Sequence, residues 1–205
     1  IAAYREGRDI HRMTAAQVLH KAPEDVTPAE RSSAKAVNFG IIYGMSAFGL
    51  GDGLGISQKE AGAYIKDYFA QYPKVEGFLN ECVRKARETG CGETLFGRRR
   101  PIEELKNTNF IQRSFGERVA KNMPIQGTAA DIIKIAMLRV FDRLRREGLR
   151  SRLLLQVHDE LLIEVWRPEE EAVRRILREE MEGAAALSVP LSVEIECGED
   201  WYEAK

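Results

Sequence analysis

The sequence predicts an α+β protein. Helical segments fill roughly its first two thirds, and near Ser151 the apolar period changes from about 3.6 residues to two, with one further helix before a last strand-like stretch. The 205 residues suffice for one substantial domain or two small ones with a real core.

Taken in order, residues 1–21 read as helical, interrupted at the Gly7-Arg8-Asp9 corner, with Asp9 as N-cap of a helix over 10–20. Pro23 breaks the chain. Thr27, Pro28 and Glu30 then form a capping box with proline at the first helical position. That helix should run over 28–43, and Gly44 is placed to end it. The glycines at 49, 51, 53 and 55 read as a flexible connection, since no strand precedes them to build a phosphate loop. Ser57 and Glu60 make a second capping box, and Pro73 starts a helix ending near Gly90. The first half therefore reads as helical throughout.

Residues 93–101 carry the strongest basic cluster, Arg98-Arg99-Arg100, which is either a solvated surface or a phosphate contact. A long helix, or a broken pair, follows over 109–146 with its interruption near Pro124 and Gly127. Leu153, Leu155 and Val157 then alternate with Leu154, Gln156 and His158, and Leu161, Ile163 and Val165 resume after a tight corner. This predicts an antiparallel hairpin over about 152–165. Pro168 opens an amphipathic helix to about 186, and Val189, Leu191, Val193, Ile195 and Cys197 are spaced as a third strand.

Lys and Arg (31) nearly cancel Asp and Glu (32), so any nucleic-acid-binding surface must be local. The three cysteines form no CxxC and are odd in number, which argues against a disulfide framework or a zinc site. There is no apolar run of about eighteen residues and no signal-peptide pattern, so the expectation is a cytoplasmic protein without a membrane partner. The chain opens at Ile1 inside a helical pattern, and it is expected to be a fragment.

Two constellations carry chemistry. Arg31, Lys35, Phe39 and Tyr43 recur every four residues and form one stripe on a helix. Two cations followed by two rings could hold a triphosphate with its sugar and base. The alternative is an ordinary helix with its cations in solvent and its aromatics in the core. At the hairpin corner stand His158, Asp159 and Glu160. Either Asp159 is a turn residue, or three polar groups at an otherwise apolar tip serve a reaction.

The string from Arg31 to Gly44, with Arg31, Lys35, Phe39 and Tyr43 in place, resembles motif B of the family A (polymerase I-type) DNA polymerases. Gln156-Val157-His158-Asp159-Glu160 resembles its motif C. Gly7-Arg8-Asp9-Ile10-His11, the TLFGRRR segment, residues 118–131 and Gly198-Glu199-Asp200-Trp201 are also similar to the family. The resemblance implies fingers over residues 1–110, with the nucleotide helix at 28–44, and the C-terminal part of the palm over 111–205. It implies addition of deoxynucleotides to a primer 3'-hydroxyl with release of pyrophosphate.

Under that resemblance Arg31, Lys35 and His11 hold the triphosphate, and Lys35 also protonates pyrophosphate. Phe39 packs on the sugar, and Tyr43 sits at the insertion site. Arg118, Asn122 and Gln126 contact primer and template, where minor-groove acceptors shared by all base pairs report pairing geometry without sequence. His158 contacts the primer terminus. Asp159 binds Mg²⁺ in a two-metal site with Glu160 in support, a chemistry that neutralises charge on the attacking and leaving oxygens.

The family's first metal-binding aspartate and its thumb have no counterpart in this sequence. The chain is therefore expected to be inactive alone, with an N-terminal polymerase portion or a complementary chain as partner besides primer-template DNA and deoxynucleoside triphosphates. Two other readings are a non-catalytic nucleotide- or DNA-binding module and a metal-dependent hydrolase using His158, Asp159 and Glu160. The latter suffers from the distance in sequence of His11 and His20.

Overall fold

Several helices in this chain begin where a side-chain oxygen meets the free amides of a first turn. The computed structural model describes residues 2–19 and 21–204. After α1 (Ala2–Arg5) the backbone turns at Gly7, whose φ is 63°. Asp9 Oδ1 then accepts from the amides of His11 and Arg12 at 3.0 and 3.1 Å and caps α2 (Ile10–Leu19). His20, the expected last residue of that helix, lies outside the described residues. A short 3-10 turn (Pro23–Asp25) leads to α3 (Pro28–Ile42), opened by the complete Thr27 and Glu30 capping box and closed by Gly44 at φ 73°.

Residues 49–54 are helical, not the expected loop. Ser46 caps α4 (Ala47–Leu54) by accepting from the Gly49 amide, and Gly55 ends it in the left-handed region. Each internal glycine costs a helix about 1 kcal/mol against alanine, so propensity argues for a loop and tertiary packing overrides it. Leu50 is buried in a core with Val37, Ile41, Ala61 and Tyr68. Gly51 permits that packing, since a Cβ there would stand 2.8 Å from the Ile56 carbonyl oxygen.

The second capping box starts α5 (Gln58–Gln71), and α6 (Pro73–Thr89) ends at Gly90, φ 72°. The next segment corrects the all-helical reading of the first half. β1 (Cys91–Glu93) and β2 (Arg99–Pro101) pair antiparallel, with Glu93 opposite Arg99. The turn is built by Thr94 Oγ1, which accepts from the amides of Phe96 and Arg98, and by Gly97 at φ 82°. Arg98, Arg99 and Arg100 are exposed on this hairpin. Asn109 caps α7 (Phe110–Asn122), and the expected interruption near Pro124 is a single π turn (Met123–Gly127) before α8 (Thr128–Arg146).

The chain divides into two compact units, Ala2–Gly127 and the residues from Thr128 onward. In the first, Ala15, Ala16, Val26 and Ala34 seal α2 against α3, while Ala86, Ile102, Leu105, Val119 and Ala120 form a separate core around α6 and α7. In the second, α8 and α9 (Glu170–Glu182) pack Val140, Leu144, Val173 and Ile176 together. One face of the hairpin of β3 (Arg152–Val157) and β4 (Glu160–Glu164) lies on that cluster. The class is α+β, as expected.

Two expectations fail in the second unit. Leu153 pairs with Ile163 but Leu155 pairs with Leu162, so Leu154 is a β-bulge. Opposed residues share a face, so the bulge sends Leu153 to the core and turns Leu155 and Val157 to the other side. Leu155 is accordingly 50 % exposed. Residues 189–196 do alternate in burial, but Cys197 is exposed and the segment is not a third strand. Helix side chains take their backbone groups instead: Glu182 accepts from the Val193 amide at 3.2 Å, and Arg174 donates to the Ile195 carbonyl at 3.2 Å. Among the described residues no helix is long and apolar enough to cross a membrane.

Two measurements check this account. Gly53→Ala, at a site with nothing within 4 Å of the added Cβ, should stabilise by about 0.5–1 kcal/mol, while Gly51→Ala should destabilise despite its better propensity. Thermal unfolding reads both. Glu30 is held at about 2, against 4.5, chiefly by its hydrogen bond from Lys21 and next by the Thr27 amide. Because the folded value is depressed, its stabilisation is complete above 4.5 and disappears as pH falls toward 2. Glu30→Gln should lower the melting temperature at neutral pH and flatten its fall across that window.

Candidate functional site

The capping box and Gly44 fix both ends of α3, and its apolar side fixes its rotation. Ala34, Val37, Gly40 and Ile41 are buried with Asn38. That leaves Arg31, Lys35, Phe39 and Tyr43 along the other side. Phe39 is 44 % exposed and stacks on Tyr43, with centroids 5.9 Å apart and planes 28° apart. The ordinary alternative, with both aromatics in the core, is therefore not what the fold does. From α2 the His11 ring reaches 5.7 Å from Phe39, so five of the expected nucleotide-site residues share one surface.

The electrostatics of that surface are set by a residue the sequence reading assigned only to capping. Asp9 Oδ2 accepts from Arg31 Nε at 2.5 Å, across 22 residues of sequence. This bond is the main reason the Asp9 carboxyl sits below its ordinary value. His11 is also held below its ordinary value, first by burial and then by Arg31 and Lys35, with Asp9 opposing. Lys35 is exposed and has no ion pair among the described residues. The surface thus offers a cation tethered at Arg31, an exposed ammonium at Lys35, an imidazole biased toward its neutral form and a pair of stacked rings.

Asn38 was missed as well. A polar residue on the buried side of the helix was the available signal, and its amide bonds both His11 and Thr14.

Arg118, Asn122 and Gln126 lie in the same unit, on α7 and its π turn. A Cβ at Gly44 would stand 3.3 Å from Arg118 Cγ and 3.2 Å from Lys121 Cδ, so the end of α3 abuts α7 there. Arg118 and Gln126 are exposed, while Asn122 is half-buried with its Oδ1 unpartnered.

In the second unit, His158 and Asp159 form the two-residue corner between β3 and β4, with Val157 opposite Glu160. His158 takes a φ of 52°, and Gln156 Nε2 donates to its carbonyl at 2.7 Å. A histidine in the left-handed region carries about 1–2 kcal/mol of strain, a cost that concentrates at working sites. His158, Asp159 and Glu160 are all exposed. Among the described residues no three His, Cys, Asp or Glu side chains converge to hold a metal ion. Asp159 and Glu160 are two acceptor-only carboxylates, and Mg²⁺ takes one or two such donors alongside water and phosphate oxygens.

A helix face joining cations to stacked rings has the chemistry to hold an anionic ligand that carries a ring, and in the second unit the carboxylate corner offers oxygen donors. The particular family follows from comparison. Residues 1–203 match the model of DNA polymerase family A, and the chain belongs to that family. It is 50 % identical over its whole length to the DNA polymerase I of Caldicellulosiruptor bescii and 49 % to that of Geobacillus stearothermophilus. It spans 24 % and 23 % of those proteins. Among solved structures it is similar to the POL domain of Pol1 from M. smegmatis in complex with DNA primer-template and dNTP. The TM-score is 0.94 with 42 % identity, over 99 % of this chain and 36 % of that one.

The strain at the corner is open to direct test. His158→Val should destabilise the hairpin by about 1–2 kcal/mol more than His158→Gly, because only glycine adopts this conformation freely. Thermal unfolding of the two variants gives the difference.

Proposed function

We propose that this chain supplies the nucleotide-selecting helix and the catalytic hairpin of a DNA-directed DNA polymerase, which extends a primer 3'-hydroxyl with deoxynucleotides and releases pyrophosphate. The observation that carries this is the exposed face of α3, where a free Lys35, a tethered Arg31 and the stacked Phe39 and Tyr43 converge with His11. The M. smegmatis domain, described with primer-template and dNTP, supports DNA and nucleotide as partners. Residues 1–110 are assigned to fingers and 111–205 to the C-terminal part of the palm.

Roles follow from chemistry. Arg31 and Lys35 neutralise triphosphate oxygens, and an exposed ammonium at Lys35 is free to give a proton to departing pyrophosphate. Phe39 covers the sugar and Tyr43 the insertion position. Arg118, Asn122, Gln126 and His158 position primer and template. Asp159, with Glu160, contributes carboxylate oxygens to a magnesium site whose other donors lie outside the described residues. For that reason the chain alone should not extend a primer.

In the polymerase that carries this chain, Asp159→Ala should reduce primer extension by at least about 10²-fold, the scale for loss of one charge-stabilising group, with nucleotide binding largely kept. Lys35→Ala should both raise nucleotide KM and lower kcat. Wild-type extension by Asp159→Ala would remove the hairpin from the active site.

A further inference from the structure

We infer that Asn38 is a positioning residue that locks His11 as its neutral Nε2–H tautomer, so that the ring presents a hydrogen-bond donor, not a third cation, to the triphosphate. This deepens the proposed nucleotide site and rests on that reading for the identity of the ligand. The tautomer itself follows from the hydrogen-bond network alone.

With the Thr14 proton on the Ile10 carbonyl, the network has one solution. Thr14 Oγ1 donates its single proton to the Ile10 carbonyl at 2.8 Å. Its oxygen can then only accept, so the Asn38 group 3.2 Å away must be the amide nitrogen. The same nitrogen lies 3.0 Å from His11 Nδ1 and has a second hydrogen to give. Nδ1 is thereby an acceptor, and in the neutral ring the proton resides on Nε2. Protonating Nδ1 would set one N–H against another.

The surroundings act in the same direction. Asn38 and Thr14 are 5 % and 3 % exposed, so water cannot easily replace either bond. Arg31 and Lys35 on α3 and burial all disfavour an imidazolium, and Asp9 alone opposes them. The Asp9 carboxylate is already engaged by Arg31 and by two amides. Asn38 Oδ1, meanwhile, is buried with no partner. An arrangement that leaves an acceptor unsatisfied is explained by what the two amide hydrogens do, since a buried unpaired oxygen is costly.

A neutral donor has a clear use between two cations. It adds a directional bond to a phosphate oxygen without adding repulsion to Arg31 and Lys35.

The test is 15N NMR of the histidine-labelled polymerase that carries this chain, with the His11 signals assigned by their loss in His11→Gln. Without nucleotide at neutral pH, Nδ1 should resonate as an unprotonated acceptor and Nε2 as N–H. Asn38→Leu should allow both tautomers, and Asn38→Asp should move the proton to Nδ1. His11→Gln and Asn38→Leu should each raise nucleotide KM by about 10-fold, the scale for a hydrogen bond to a charged acceptor, and the double variant should do no worse than the larger single. An Nδ1–H tautomer in the wild type overturns the inference even if every variant fails to fold. A tautomer unchanged by Asn38→Leu, or additive KM effects, also overturns it. A correct tautomer whose Nε2 signal is unmoved by added deoxynucleotide would instead refute the nucleotide role of His11.

Discussion

The carboxylate of Asp9 is the constraint on which the proposed nucleotide surface depends. One oxygen caps α2 through the amides of His11 and Arg12, and the other accepts from Arg31 on α3. A partly exposed pair of this kind is worth only about 0.2–1 kcal/mol by itself. Its importance is geometric. It sets the start of α2, and with it His11, against the charged side of α3, while Ala15, Ala16 and Ala34 close the small-residue seam between the two helices. Small side chains there let the backbones approach, and the approach is what places an imidazole within reach of Asn38 and Phe39.

The other face of α3 is held by a different means. Val37 and Ile41 pack on Leu50 of α4, a helix that exists in spite of three internal glycines. The glycines that weaken the helix by propensity are therefore partly repaid by the close passage that Gly51 allows next to Ile56.

In the second unit the decisive feature is the bulge at Leu154. It lets one edge of the hairpin seal α8 and α9 while Leu155, Val157 and Glu160 share the open face. The corner between the strands is narrow, two residues long, and strained at His158. A short, strained corner holds Asp159 with little conformational freedom, and the role proposed for that carboxylate calls for such preorganisation.

Local chemistry was legible in the sequence: both capping boxes, the Asp9 cap, the Gly44 and Gly90 stops, the break near Pro124 and the hairpin corner all depend on neighbours within a few residues. The spacing of Arg31, Lys35, Phe39 and Tyr43 was legible for the same reason, since helical period alone puts them on one side. Tertiary structure alone decided that Phe39 faces solvent, that residues 47–54 are helical, that Leu154 bulges, and that residues 189–197 bond to helix side chains instead of a strand. It also decided the bonds of Asp9 to Arg31 and of Asn38 to His11, which join residues 22 and 27 positions apart. The physical reason is common to all of them: each is fixed by which partner arrives across space, and periodicity and capping carry no information about that.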